Sequence, residues 1–278
     1  MTTMTVRRYA AFSKGGEGGN PAGVVLANQM PPDGEMQSLA AELGLSETAF
    51  AAPIQDGWRV RYFAPECEVA FCGHATIALG AALTRAHGEG RYPLMLNDGA
   101  IEVSGVKTDA GLRAVLSSPA THSRPAGQEI VASALALFGM DVRDLDPAVP
   151  PAIANAGNDH LILGLSDRGA LAAMDYDLEE GAALMKRFGL TTISLIHAQT
   201  PRQFDSRNAF AIGGVLEDPA TGAAAAALAG YLRDMGWPHE GAIEIIQGED
   251  MGSPSRLKVQ IPSEPGAPVF VSGEVREI

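Results

Sequence analysis

Hydrophobic residues in the first half of the chain fall into short runs at 6–11, 22–26, 48–53, 58–63, 101–106 and 112–116, each bounded by Gly, Pro or Asp. Runs of this length between turn residues predict strands. The stretches 36–43 and 74–85 carry Ala and Leu at helical spacing and predict helices. Short strands alternating with Ala/Leu-rich helices, with no low-complexity tract between them, give a mixed α and β class.

The order of elements repeats along the chain. A helix at 37–43 is ended by Gly44 and followed by the strand entry Leu45-Ser46-Glu47-Thr48-Ala49-Phe50. A helix at 181–188 is ended by Gly189 and followed by Leu190-Thr191-Thr192-Ile193-Ser194-Leu195. Each then runs through a further strand, at 58–63 and 208–212, to a turn that opens an Ala-rich helix. The turns are Cys72-Gly73-His74-Ala75-Thr76 and Pro219-Ala220-Thr221-Gly222-Ala223. The helices after them, 75–83 and 223–232, are Ala, Leu and Gly with scarcely any charge. A helix apolar all round belongs in a core, and small side chains let sheet come close. The expected fold is α+β with two pseudo-symmetric domains, each a curved β-sheet wrapped round a central apolar helix. The expected boundaries are 1–120, joined by a C-terminal strand at 268–278, and 121–267. A ligand is expected between the domains, where the two helix N-termini can converge.

Composition narrows the partners. A length of 278 residues suits two domains of roughly 100–150 residues each. With 33 acidic against 20 basic residues the formal charge is −13. Such a chain, without a basic patch, repels nucleic acid and anionic membrane. No apolar run approaches a membrane span. The two cysteines, Cys67 and Cys72, make neither a disulfide scaffold nor a CxxC metal spacing. Arg7 and Arg8 are not followed by the apolar segment of a targeting signal, and the cytoplasm is the expected location. A net negative protein must capture an anionic ligand through local dipoles, which directs attention to the helix N-termini.

Gly73 and Gly222 open those helices and let a ligand approach the backbone, or simply permit helix entry against a sheet. Superposing the halves sets Glu47 against Thr192 and Asp218 against Val69, so both acids are asymmetric additions to a repeated frame. Glu217 meets Glu68, which marks that pair as structural or solvated. The apolar neighbours of Glu47 should desolvate its carboxyl and raise its pKa, as a proton-transfer group near neutrality needs. His74 is a capping or core histidine, or a donor to substrate. Cys72 beside His74 invites a thiol-nucleophile reading. Side chains this close in sequence are expected to diverge once the helix begins. One imidazole and few clustered ligands argue against zinc. No GxSxG, Walker A, GxGxxG or HExxH pattern occurs.

Several segments taken in order resemble the PhzF-like family of isomerases, named for phenazine biosynthesis. They are Gly19-Asn20-Pro21, Leu45-Ser46-Glu47-Thr48-Ala49-Phe50, Arg61-Tyr62-Phe63-Ala64-Pro65 with Glu68, Cys72-Gly73-His74-Ala75-Thr76 and Glu217-Asp218-Pro219-Ala220-Thr221-Gly222. Gly252-Ser253-Pro254-Ser255 and Val271-Ser272-Gly273 extend the likeness over essentially the whole chain. The resemblance implies the diaminopimelate-epimerase fold, usually in a homodimer, and acid/base isomerisation of a small carboxylate-bearing substrate without cofactor or metal. It implies Glu47 as the catalytic glutamate and His74 and Asp218 as its supporting residues. Backbone groups at Gly73 and Gly222, together with Ser46, Thr221 and Asn20, are the implied substrate-binding positions. Ala223 stands where the family often has Ser, so the phenazine precursor itself is not the expected substrate. Cysteine-dependent epimerases of the same fold use one thiol from each half. Cys72 occupies the first such position, but the second turn has no cysteine. The expected function is a cofactor-independent isomerase, by epimerisation or an allylic proton shift. Its alternatives are a one-thiol epimerase using Cys72 and a non-catalytic small-molecule binding protein.

Overall fold

A computed structural model describes residues 4–97, 99–109 and 111–278. The chain falls into two units, Met1–Ser117 with Ser272–Ile278, and Ser118–Val271.

The first unit begins with β1 (Val6–Ser13), β2 (Asn20–Leu26), α1 (Asp33–Leu43), β3 (Thr48–Ile54) and β4 (Gly57–Phe63). It continues through β5 (Glu68–Val69), α2 (Gly73–His87), β6 (Gly90–Met95), β7 (Ala100–Thr108) and β8 (Gly111–Ser117). The sheet runs β1-β2-β3-β4-β6-β7-β8, and the C-terminal strand Phe270–Glu277 bonds to β8 on one side and antiparallel to β1 on the other. The sheet therefore closes on itself. Its parallel pairs are β2/β3 and β4/β6, and each needs a crossover, supplied by α1 and α2. α1 buries Met36 and Ala40 against Val25, Phe50 and Phe63, and stops at Gly44, whose left-handed φ of 61° suits glycine.

α2 is the core of this unit, with every residue from Gly73 to Thr84 buried. Two glycines set how close it comes to the sheet. A Cβ on Gly80 would lie 2.6 Å from Val103 Cγ2, and one on Gly105 would lie 1.9 Å from Thr84 Oγ1. The runs predicted at 6–11, 22–26, 48–53, 58–63, 101–106 and 112–116 all lie within observed strands. β6 was not predicted, because it is largely exposed and carries Pro93.

The second unit holds β9 (His122–Pro125), α3 (Gln128–Leu137), β10 (Ala152–Asn155), β11 (Asp159–Gly164), α4 (Arg168–Ala172) and α5 (Leu178–Phe188). It then runs through β12 (Thr192–Thr200), β13 (Gln203–Ala209), α6 (Gly222–Asp234), β14 (Ala242–Gln247) and β15 (Ser255–Gln260). The strand order is β15-β14-β13-β12-β11-β10-β9. Its parallel pairs β11/β12 and β13/β14 are again bridged by helices, α4 and α5 for the first and α6 for the second. α6 is buried from Gly222 to Arg233, and a Cβ on Gly230 would meet Thr121 at 2.6 Å. α5 ends at Gly189 with φ 66°, as α1 ends at Gly44.

Both units thus follow one plan of strand, αL-capped helix, antiparallel strand pair, buried Gly/Ala helix and strand. This is the diaminopimelate-epimerase-like α+β fold. The strand expected at 208–212 ends instead at Ala209. Phe210 turns into a 3-10 helix, Ala211–Gly213, that closes on Gly214 at φ 82°. The Phe210 ring lies within 2.5 Å of where a Gly213 Cβ would be, so the ring packs on its own turn.

Gly80→Val should destabilise the protein by about 1–3 kcal/mol or more, the usual range for overpacking a filled core. Gly90→Ala, with nothing within 4 Å of its Cβ position, should change stability by less than roughly 0.5 kcal/mol. Urea unfolding of both variants measures the difference.

Candidate active site

The N-terminus of α2 is tied down from β4. Tyr62 OH donates to Thr76 Oγ1 at 2.6 Å, because the Thr76 proton goes to the Cys72 carbonyl oxygen, also at 2.6 Å. Cys72 is the N-cap residue, its side chain does not cap the helix, and no acid occupies the first turn. The positive end of the helix dipole is left to whatever lies in front of it.

Glu47, on the strand entry after Gly44, comes close to the side chains of Cys72 and His74 at the start of α2. Glu47, His74 and Cys72 are 6%, 4% and 7% exposed. His74 Nε2 lies 3.3 Å from Glu47 Oε2 and 3.2 Å from Ser46 Oγ. The other ring nitrogen, Nδ1, lies 3.4 Å from Cys72 Sγ. Glu47 Oε2 is within ion-pair distance of the imidazole but has no hydrogen-bond partner of proper geometry. Burial pushes the Glu47 carboxyl above its ordinary value of 4.5, against the lowering effect of hydrogen bonds from Ser46 and Cys72. A buried, incompletely satisfied carboxyl is where proton-transfer chemistry concentrates.

Two sequence expectations are corrected at this site. The Cys72 and His74 side chains do not diverge, because Cys72 sits at the N-cap with φ −139° and ψ 118°, and this extended backbone lays the thiol beside the imidazole. Glu47, Cys72 and His74 also bring one ligand atom each within 4.8 Å of one another. Three such donors could hold a metal ion, so clustered ligands are not too few.

Asp218, Thr221 and Gly222 form a second group at the start of α6, in the other unit. Asp218 is buried; its N–H donates to Asn208 O at 3.1 Å, and its Oδ2 accepts from Thr221 Oγ1 at 2.6 Å. Thr221 is the N-cap of α6, yet its hydroxyl points to Asp218 rather than to the helix. Gln247 Nε2 donates to Asp218 O at 2.6 Å, and Gln247 Oε1 accepts from Thr221 N–H at 3.2 Å. Asn20 is buried at the head of β2, opposite Ala11. Gly19 before it has φ +84°, and a Cβ there would meet Ala11 O at 2.8 Å.

Glu68 and Glu217 are both ion-paired, Glu68 with Arg61 at 2.7 Å and Glu217 with Arg207 at 2.6 Å. The strand registers Phe50↔Arg61 and Leu195↔Arg207 make these arginines equivalent in the two units. The pairs belong to the repeated frame. A cavity of about 470 Å³ bordered by Met4, Val25, Met30 and Glu35 contains none of the candidate residues. Sequence reasoning missed Asn208 and Gln247, which sit on strands with no local motif to mark them.

Residues 9–274 match the family model described as phenazine biosynthesis-like protein. An uncharacterised isomerase from Deinococcus radiodurans is 34% identical over 281 residues, covering 93% of this chain and 88% of the relative. A PhzF-family phenazine biosynthesis protein from Bacillus anthracis has a crystal structure that superposes with a TM-score of 0.86 at 23% identity, covering 100% of this chain and 98% of that one. A hydroxyproline epimerase from Agrobacterium vitis, crystallised with trans-4-hydroxy-L-proline, superposes at 0.68 with 11% identity over 99% and 89% of the chains. Fold and relatives define an enzyme of the isomerase class. The chain belongs to the phenazine biosynthesis-like protein family. Among the described residues no helix is long and apolar enough to cross a membrane.

The raised Glu47 carboxyl has a consequence for stability. A group bound more tightly to its proton in the folded state adds stability below its unfolded pKa, near 4.5, and loses it as pH rises through the folded pKa. Glu47→Gln should therefore raise the thermal midpoint at pH 7–8, by an amount that shrinks toward zero as pH falls below the ordinary carboxylate value. Paired melting curves across pH measure this, and a gain independent of pH would be inconsistent with a desolvated acid.

Proposed function

We propose that the chain is a cofactor-independent isomerase acting on a small carboxylate-bearing metabolite by proton transfer through Glu47. The observation that carries this reading is the buried Glu47 carboxyl, its Oε2 without a hydrogen-bond partner, beside His74 Nε2 at 3.3 Å. Glu47 takes a proton from carbon, and either Glu47 returns it at an allylic position or a partner group delivers a proton to the opposite face of the same carbon. His74 orients the substrate and steadies developing charge. N–H groups at the helix starts, at Gly73 and Gly222, receive carboxylate oxygens. Asp218 is assigned to substrate orientation, and Ser46, Asn20 and Thr221 to substrate contacts. The bound amino acid of the A. vitis epimerase supports a small carboxylic acid as the substrate class. The proposed assembly is a homodimer and the proposed location the cytoplasm.

A one-thiol epimerase is the second reading, favoured by Cys72 Sγ at 3.4 Å from His74 Nδ1, a contact able to support a thiolate. A non-catalytic binder on the same fold would show no exchange at all.

A thermal-shift screen of small carboxylic acids would find a ligand by mass action, and proton exchange on it in heavy water would then be followed by NMR. Glu47→Gln should slow exchange by about 10²–10⁴-fold or more, the range of general acid–base catalysis. Asp218→Asn should slow it less, and Cys72→Ala least. Fast exchange by Glu47→Gln with loss in Cys72→Ala would replace the glutamate by the thiol. No deuterium incorporation from any bound acid would favour the binder.

Dialysis against a chelator should leave exchange unchanged, and added zinc should suppress it by engaging the Glu47, Cys72 and His74 donors. Loss on chelation with recovery on metal addition would make the site a metal centre instead.

A further inference from the structure

A buried polar chain behind the start of α6 carries one more assignment, which rests on the role proposed for Asp218. Its links are His160 Nδ1 to Thr192 Oγ1 at 2.7 Å, Thr192 Oγ1 to Asn208 Oδ1 at 3.0 Å, Asn208 Nδ2 to Thr221 Oγ1 at 2.7 Å and Thr221 Oγ1 to Asp218 Oδ2 at 2.6 Å. His160, Thr192, Asn208 and Asp218 are each no more than 5% exposed.

The direction of every link follows from the chemistry of the far end. The Asp218 carboxylate oxygen accepts, and the Thr221 hydroxyl donates to it. With its single proton spent, Thr221 Oγ1 can only accept, and it does so from Asn208 Nδ2 and from Gln247 Nε2 at 3.1 Å. The Gln247 amide is oriented independently, because the Thr221 backbone N–H needs Oε1 as acceptor. The Asn208 amide is thereby fixed with nitrogen toward Thr221 and oxygen toward Thr192 and Ser194, both of which donate to it. Thr192, having given its proton to Asn208, must accept from His160, which requires a proton on Nδ1. The opposite nitrogen, Nε2, is buried without a partner. A bare acceptor is better tolerated there than an orphaned N–H donor.

We propose that Asn208 is a positioning residue for Asp218, and that the hydrogen-bond chain through it holds His160 as the Nδ1–H tautomer. Each donor in the chain points toward Asp218, so the dipoles add along it and reinforce one another in a low-dielectric interior. The Thr221 hydroxyl is held in the one rotation that stabilises the carboxylate, instead of capping α6. Burial pushes His160 down to about 4, so the ring is neutral and its tautomer well defined near pH 7.

The test reads the histidine directly by long-range ¹H–¹⁵N NMR of the labelled full-length protein near pH 7. The His160 signal is identified by its loss in His160→Gln. The unaltered protein should show the Nδ1–H pattern; a predominant Nε2–H pattern would overturn the assignment. Asp218→Asn replaces an end that only accepts with one that can donate, and it should move the His160 nitrogens toward a tautomer mixture. Unchanged shifts would show that the chain is not coupled. In Asn208→Ala the same Asp218→Asn change should no longer reach His160, and persistence of its effect would remove Asn208 from the path. If Asn208→Ala fails to fold, Asn208→Ser serves in its place, and the first two measurements need neither. Because the readout is independent of turnover, failure of the catalytic role of Asp218 would leave the tautomer result intact, and failure of the tautomer result would leave the catalytic role to the exchange assay.

Discussion

The structure depends on the close approach of backbone that two Gly/Ala helices make possible. α2 and α6 are buried along nearly their whole length, and each has at least one glycine whose missing Cβ is occupied by a neighbour: Gly80 by Val103, Gly230 by Thr121. A helix that is apolar all round cannot rest on a surface, so sheet must surround it. Burying the helix also buries its first turn, with backbone N–H groups that the N-cap side chains of Cys72 and Thr221 do not satisfy.

The two units then diverge at a few positions on the common plan. Arg61–Glu68 and Arg207–Glu217 show what the repeat preserves, a buried or half-buried ion pair on equivalent strands. Glu47 and Thr192 show what it does not. In the first unit the position after the αL-capped helix carries an acid beside His74, and in the second it carries a hydroxyl that hands its proton to Asn208. One unit concentrates a titratable group and the other a fixed dipole chain.

Much of this was legible in the sequence because the signals were local. The glycines at 44 and 189 are αL helix stops, and the uncharged helices at 75–83 and 223–232 are cores, each for a reason readable from a dozen residues. Glu47 was readable as an acid among apolar neighbours. Other features depend on distant contacts. β6 lacked a pattern because one strand carries both exposure and Pro93. Asn208 and Gln247 matter only because β13 and β14 run parallel beside the start of α6, a relation no window of sequence contains. The Cys72–His74 contact was misread because the extended N-cap backbone, and not the helix, sets the direction of the thiol.

The proposed role of Glu47 depends on burial holding its carboxyl above the ordinary carboxylate value. The most direct measurement is a ¹³C-detected titration of the Glu47 carboxyl in the unaltered protein, assigned by its absence in Glu47→Gln. The midpoint is expected above the ordinary carboxylate value of 4.5, in the direction set by desolvation. A midpoint at or below that value would mean that the carboxyl is held as a permanent anion, and the proton-transfer role would then have to pass to another group.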